Sequence, residues 1–207
     1  MMRLKHQAKT ARKWRVASRQ IARHFPTGLP RLLLLTDPER LPDPIKVAQR
    51  LPPGSGVIYR HFGRDDRVQL AAQLSHLCRH KGFVFLIAAD PVLAMRVGAD
   101  GVHWPEAQAH KARNWRKRFK LQTASAHSRR AVRRNDCFKV NAVLFSTVFV
   151  SNSASAGAPI GAVRYRQLAR SSPMPLYALG GVNAENAHRI ADVSALAAIE
   201  GFVLAAD

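Results

Sequence analysis

The residues of this chain that could do chemistry stand directly after short apolar runs. Asp90 is a carboxylate of the kind that ligates a hard cation such as Mg²⁺, which prefers oxygen. It also precedes Pro91, a context that suits the N-cap of a helix. Arg60 could grip a phosphate through two parallel N–H bonds, or pair with Asp65 or Asp66. Histidine changes charge near neutrality, so His103 and His127 could act as acid–base groups or could simply hydrogen-bond to a loop. Hydroxyls follow two further runs, at Ser125 and at Ser146 and Thr147. Gly180 with Gly181, and Glu200 with Gly201, close the series. Glycine lets backbone N–H groups approach an anion, and a following helix start adds partial positive charge. The same glycines also serve as ordinary turns. No nucleophile–base pair and no Cys/His zinc spacing occurs.

These positions need elements to hold them. From residue 31 onward, apolar runs alternate with helix-like stretches. The runs fall at 31–36, 57–60, 83–87, 101–103, 121–126, 142–145, 175–179 and 193–199. Helices are predicted at 44–51, 65–80, 91–97, 128–135, up to about 170, 183–191 and 201–206, with a basic helix or loop at 105–118. Such alternation argues for parallel βα units, and continuous apolar strands fit a sheet buried on both faces. Eight units predict a (β/α)8 barrel, whose ligand site lies at the carboxyl ends of the strands. The alternative is an open doubly wound sheet. No Gly-x-Gly-x-x-Gly follows the first strand, which weakens its dinucleotide form. Pro26, Thr27 and Gly28 read as a linker. The expected organisation is a basic extension over 1–28 and a barrel over 29–207.

Charge is the other conspicuous feature. The 207 residues carry 33 Lys and Arg against 13 Asp and Glu, a net +20. Eight of the bases lie within residues 1–25, and the first acid is Asp37. A second basic run lies between Glu106 and Asp136. Such fields attract nucleic acid, anionic surfaces and phosphorylated small molecules, or merely solvate helix faces. Leu4, Ala8, Ala11, Trp14, Ala17, Ile21 and Phe25 form a helical stripe. That stripe could lie on an anionic membrane, belong to a transit peptide, or cap the domain. Residues 1–25 are expected to be dispensable for the barrel. The 47% hydrophobic content supplies a core. No apolar run reaches the roughly 18–20 residues that span a bilayer. Two cysteines, Cys78 and Cys137, suggest a reducing compartment, and the start lacks the apolar core of a secretory signal, so a cytoplasmic location is expected.

Several segments taken together resemble the thiamine phosphate synthase and thiazole tautomerase superfamily. They are Leu32 to Asp37, Leu86 to Asp90, Gly98 to His103, Ser125 to His127, Leu144 to Phe149, Ala178 to Val182, and Asn186. The resemblance covers about residues 31–206 in order. It implies a (β/α)8 barrel and a synthase that joins a pyrimidine diphosphate to a thiazole phosphate. In that reaction Mg²⁺ and basic residues hold the diphosphate while the thiazole nitrogen captures a pyrimidine cation. Carried over by motif, it implies a metal role for Asp90. It also implies phosphate contacts from Arg60, Ser125, Ser151, Ser153, Gly180, Gly181 and Gly201. Other motif positions depart. Ala89 replaces an Asn, and Gln108 replaces a second metal carboxylate. The grip Gln-x-Arg-x-Lys reads Ile58, Arg60, Phe62. The loop Thr-x-Thr-Lys reads Ser151, Asn152, Ser153, Ala154. The tautomerase His falls on Thr147. A diphosphate carries about three negative charges, and stabilising it is largely electrostatic. These losses therefore imply a barrel that binds a monophosphate, with synthase activity absent or low. The alternatives are a divergent synthase whose basic loops replace the lost lysines, a non-catalytic binder of such a ligand, and a polyanion- or membrane-associated barrel.

Overall fold

The apolar runs become eight parallel strands paired in sequence order, and the last closes on the first. A computed structural model describes residues 2–153 and 156–202, with side chains from residue 7. The strands are β1 (Leu32–Leu35), β2 (Ser55–Tyr59), β3 (Val84–Ala88), β4 (Gly101–Trp104), β5 (Leu121–Ala126), β6 (Ala142–Phe145), β7 (Leu176–Ala178) and β8 (Ala195–Ala198). All four residues of β1 are buried. A strand with helices outside and a packed barrel inside has no solvent face, which is why the runs do not alternate. Closure pairs Leu32 with Leu196 and Leu34 with Ala198. An open sheet with two free edges is thereby excluded.

Helices α1 (Met2–Ile21), α2 (Pro44–Gln49), α3 (Arg67–Lys81), α4 (Pro91–Arg96), α5 (Ala112–Trp115), α6 (Arg129–Phe138) and α7 (Gly161–Arg170) surround it. In α3 the buried residues are Ala71, Leu74, Ser75 and Cys78, one helical face. Gly82 ends that helix at φ 65°, where its N–H meets the last carbonyls. The basic stretch after β4 is a 3₁₀ helix, Glu106–Lys111, running into α5.

The helix predicted over 183–191 does not form; that connection holds only a 3₁₀ turn, Ala187–Arg189. Asparagine side chains satisfy its backbone instead. Asn183 Oδ1 accepts from the amides of Glu185 and Asn186, and Asn186 Oδ1 accepts from the Asn183 amide. Most of the helix predicted over 201–206 lies outside the described residues. No helix among the described residues is long and apolar enough to cross a membrane.

The N-terminal segment adds no strand, but α1 is packed. Trp14, Ala17, Ile21 and Phe25 are buried in the same core as the strands. The Trp14 ring lies 4.5 Å from that of Phe202, and Phe25 meets Tyr177 edge-on at 5.2 Å. The side chain of Leu4 lies outside the described residues. From Trp14 onward the stripe is thus occupied by the barrel, whereas Ala8 is exposed. Its charged face is outward: Lys9, Arg12, Arg15, Arg19 and Arg23 are exposed. The expectation that residues 1–25 are dispensable meets a physical objection, since removing them uncovers Tyr177 and Phe202. Trp14→Ala is expected to cost about 3–5 kcal/mol of unfolding free energy, the usual range for emptying a buried aromatic site. Thermal denaturation measures this, and an unchanged midpoint would make α1 a passenger.

Candidate active site

A cavity of about 500 Å³ opens at the carboxyl ends of the strands. Its apolar part includes Leu35, Ala88, Ala198 and Leu179, residues at the ends of β1, β3, β8 and β7. Arg40 and Arg60 line it after β1 and β2. Hydroxyls and glycines line it after β5, β6 and β7. In a closed eight-strand barrel, β2 stands across from β6, so the cations face the hydroxyl- and amide-bearing loops.

Arg60 is held at its backbone. Its amide donates to Oγ1 of the buried Thr36 at 2.9 Å. The guanidinium has no hydrogen bond or ion pair among the described residues. The expected bridge to Asp66 does not form, because Asp66 pairs with Arg64 at 2.8 Å. Burial pulls the Arg60 pKa down, and the Asp37 charge opposes that. A half-buried, unpartnered guanidinium on a cavity wall is a group prepared for an anion.

His103 on β4 is buried and reaches both neighbours on β5. Its Nδ1 lies 2.9 Å from Thr123 Oγ1, and its Nε2 lies 3.0 Å from Ser125 Oγ. Burial, with a smaller push from Arg60, lowers its pKa to about 3. His103 is therefore neutral and positions the Ser125 hydroxyl; it does not shuttle protons near neutrality. His127 lies at the rim, where its Nδ1 stands 3.2 Å from the Ser146 carbonyl and 3.1 Å from Ser146 Oγ. Its amide donates to Glu106 at 2.8 Å, and Glu106 also pairs with Arg134 at 3.1 Å.

The glycines are required, for a reason other than the one expected. Gly180 and Gly181 have φ of 90° and 62°. A Cβ on Gly180 would stand 2.8 Å from Thr147 Cγ2. One on Gly181 would collide with the Val150 carbonyl oxygen, and one on Gly201 with that of Val182. The Cβ would therefore take space belonging to the chain's own backbone rather than to an anion. The loop after β6 is clamped there, with the Phe149 amide donating to Gly180 O at 3.0 Å. The amides of Gly180, Gly181 and Gly201 donate to no acceptor among the described residues. Ser151, Asn152 and Ser153 extend from this loop onto the cavity wall. Ala154, at the lost Lys, lies outside the described residues.

Asp90 is not part of the cavity wall. Its Oδ1 accepts from the Leu93 amide at 2.9 Å, the N-cap of α4, and its Oδ2 accepts from Arg67 Nη1 at 2.8 Å. Burial alone would raise its pKa; the Leu93 amide and Arg67 outweigh it and hold the carboxyl below the usual range. Gln108 bonds instead with Lys111 at 3.1 Å. Among the described residues, no group of three His, Cys, Asp or Glu side chains could hold a metal ion. Arg67, whose guanidinium lies 5.7 Å from the Phe62 ring centroid, supplies the positive charge that Asp90 needs.

Two features of the site, one behind the cavity wall and one on it, escaped sequence reasoning. Thr123 sits two residues before Ser125, hence on the same face of β5, and that period was a readable clue. Arg40 lines the cavity and pairs with Glu200. Only the Asp37 turn that accepts its amide at 3.1 Å gave a local hint.

The fold and cavity define the class: a (β/α)8 barrel with a cavity at the strands' carboxyl ends. A solved thiamine phosphate pyrophosphorylase from Pyrococcus furiosus shares that fold, with a TM-score of 0.72 and 22% identity over 86% of this chain and 88% of that one. The thiamine monophosphate synthase family profile matches residues 34–202, and the chain belongs to that family. It is 31% identical over 122 residues to the thiamine-phosphate synthase of Lysinibacillus sphaericus, covering 58% of this chain and 57% of the relative. It is 31% identical over 145 residues to that of a Nostoc species, covering 66% and 40%. The Alcanivorax borkumensis relative is 26% identical over 175 residues, covering 80% of each. The chain thus spans little more than half the length of the first relative and less than half of the second.

Two outcomes are expected. Gly181→Ala should lower thermal stability, because the Val150 carbonyl must move; an unaltered midpoint would contradict the clamp. His103 should stay neutral in the folded protein at about pH 5, where a free histidine is mostly protonated. Its folded pKa is below the unfolded 6.5, so the unfolded chain binds the extra proton and stability falls as pH drops from 6.5 toward about 3. Imidazole nitrogen NMR shifts report this directly.

Proposed function

We propose that the cavity binds a phosphorylated thiazole- or thiamine-type monophosphate, and that the chain serves thiamine biosynthesis as a divergent family member with synthase turnover absent or low. The observation that carries this is the unpaired Arg60 guanidinium, set across the barrel from hydroxyls and free amides. In this reading Arg60 neutralises the phosphate. Ser151, Ser153 and the amides of Gly180, Gly181 and Gly201 supply neutral donors. Leu35, Ala88 and Leu179 receive the ring, and His103 presents the Ser125 hydroxyl to it. The reduced turnover follows from Asp90 being tied to Arg67, with Gln108 and Phe62 in place of charged groups. The other arginine that lines the cavity, Arg40, is paired with Glu200.

Calorimetric titration with thiazole phosphate and thiamine monophosphate tests the binding. Arg60→Met should weaken either ligand at least tenfold, about 1.4 kcal/mol. Equal affinity in a folded variant would sink the site. Incubation with the pyrimidine diphosphate, thiazole phosphate and Mg²⁺ tests turnover. Robust product formation that vanishes in Asp90→Ala would restore a working synthase.

A second reading, contact with a nucleic acid through α1, is favoured by the exposed Lys9, Arg12, Arg15 and Arg19 on it, by Arg23 just beyond it, and by the lack of any acid before Asp37. Duplex DNA binding that weakens steeply with salt is its measure.

A further inference from the structure

We infer that α6, together with the 3₁₀ helix and α5 beside it, forms a surface that binds the phosphate backbone of a nucleic-acid duplex without reading its bases. None of the Lys and Arg of this surface lines the cavity. Nor is it the α1 surface: α1 packs at Tyr177 on β7 and at Phe202 beyond β8, whereas α6 packs on β5 and β6. The inference therefore stands apart from both readings above.

The positive charge of the chain is segregated. Residues 106–139 hold eleven Lys and Arg against two acids, Glu106 and Asp136, a net +9. Outside this stretch and residues 1–25, the chain holds fourteen bases against eleven acids, a net +3. All eleven bases of 106–139 are exposed. Helix α6 buries Ala131, Val132 and Asn135, which turns Arg129, Arg130, Arg133 and Arg134 outward. The neighbouring segment is tied to it at two points. Arg134 pairs with Glu106 at 3.1 Å, and Arg113 Nη2 donates to the Cys137 carbonyl at 3.0 Å. Arg116, Lys117, Arg118 and Lys120 on one segment, and Arg130 and Arg133 on the other, have no side-chain partner among the described residues. This arrangement opposes helix stability. Arg129 and Arg133 are like charges one turn apart, and the first turn of α6 carries cations where the helix dipole favours anions. A row of phosphates relieves both.

The texture of the surface selects among polyanions. No large apolar side chain of 106–139 is exposed, so the surface lacks the anchors that seat a protein in a lipid interface. It also lacks a platform for stacking single-stranded bases. Phe119 is buried, Trp115 is half-buried, and Phe138 has the Arg113 guanidinium 5.2 Å from its ring centroid. What it presents is mainly arginine, whose planar fork meets phosphate oxygens in pairs. A duplex offers one negative charge per ~1.7 Å of its axis, which suits bases held this close together.

The probe is a short labelled DNA duplex of arbitrary sequence, titrated by fluorescence anisotropy into the full chain at several salt concentrations. Binding should weaken steeply with salt, the slope of log K against log salt steepening by about 0.9 for each phosphate met. A duplex of unrelated sequence should bind equally. The pair Arg130→Gln and Arg133→Gln, and the pair Arg116→Gln and Lys117→Gln, should each weaken binding and flatten the slope by roughly two. None of these side chains has an internal partner, so the thermal midpoint should hold or rise, which separates lost binding from lost fold. Changing Lys9, Arg12, Arg15 and Arg19 to Gln should leave duplex binding in place. The inference is overturned if the duplex does not bind, if both folded pairs keep the wild-type slope, or if only the α1 changes abolish binding. Tighter adsorption to phosphatidylserine vesicles than to the duplex at equal salt would also overturn it, in favour of a lipid surface.

Discussion

The pairing of β8 with β1 is the contact on which the mouth of this barrel depends. Leu32 opposite Leu196 fixes the seam, and every loop above it inherits its place from that register. Arg40 follows β1 and Glu200 follows β8, so their ion pair spans the seam although 160 residues separate them. The same closure sets β2 across from β6 and gives Arg60 a wall of hydroxyls to face. Helix α1 adds to the barrel from outside, placing Trp14 and Phe25 against Phe202 and Tyr177. A segment that reads as an appendage is part of the core because aromatic surface on both partners would otherwise meet water.

Around Asp90 the charges are balanced within the chain. Asp90 keeps its place after β3, yet both its oxygens are occupied by Leu93 and Arg67. The guanidinium does for that carboxylate what a divalent cation would do elsewhere: it offsets a buried negative charge. Phe62, where the motif has a lysine, offers Arg67 an aromatic face.

The glycines after β7 and β8 show how a motif can serve packing. At Gly181 and Gly201 the absent Cβ makes room for the Val150 and Val182 carbonyls. That packing clamps the loop carrying Ser151 and Ser153 onto β7. The amides left without internal acceptors are a by-product of the clamp.

The strands, their parallel order and the barrel were legible because a sheet buried on both faces demands continuous apolar runs, which a chain writes locally. Arg60, Ser125 and the glycines were legible as strand-end residues for the same reason. The 183–191 connection was not, because asparagine side chains outcompeted the helix with bonds that helical periodicity does not register. Nor could the sequence say that Asp90 is spoken for, since Arg67 is 23 residues away and Asp65 and Asp66 were nearer candidates for a basic partner. Sequence alone placed Arg60, Ser125 and the glycines at the barrel's mouth. Tertiary structure alone decided which of their charges are cancelled, because electrostatic pairing depends on distances set by closure and not on separation along the chain.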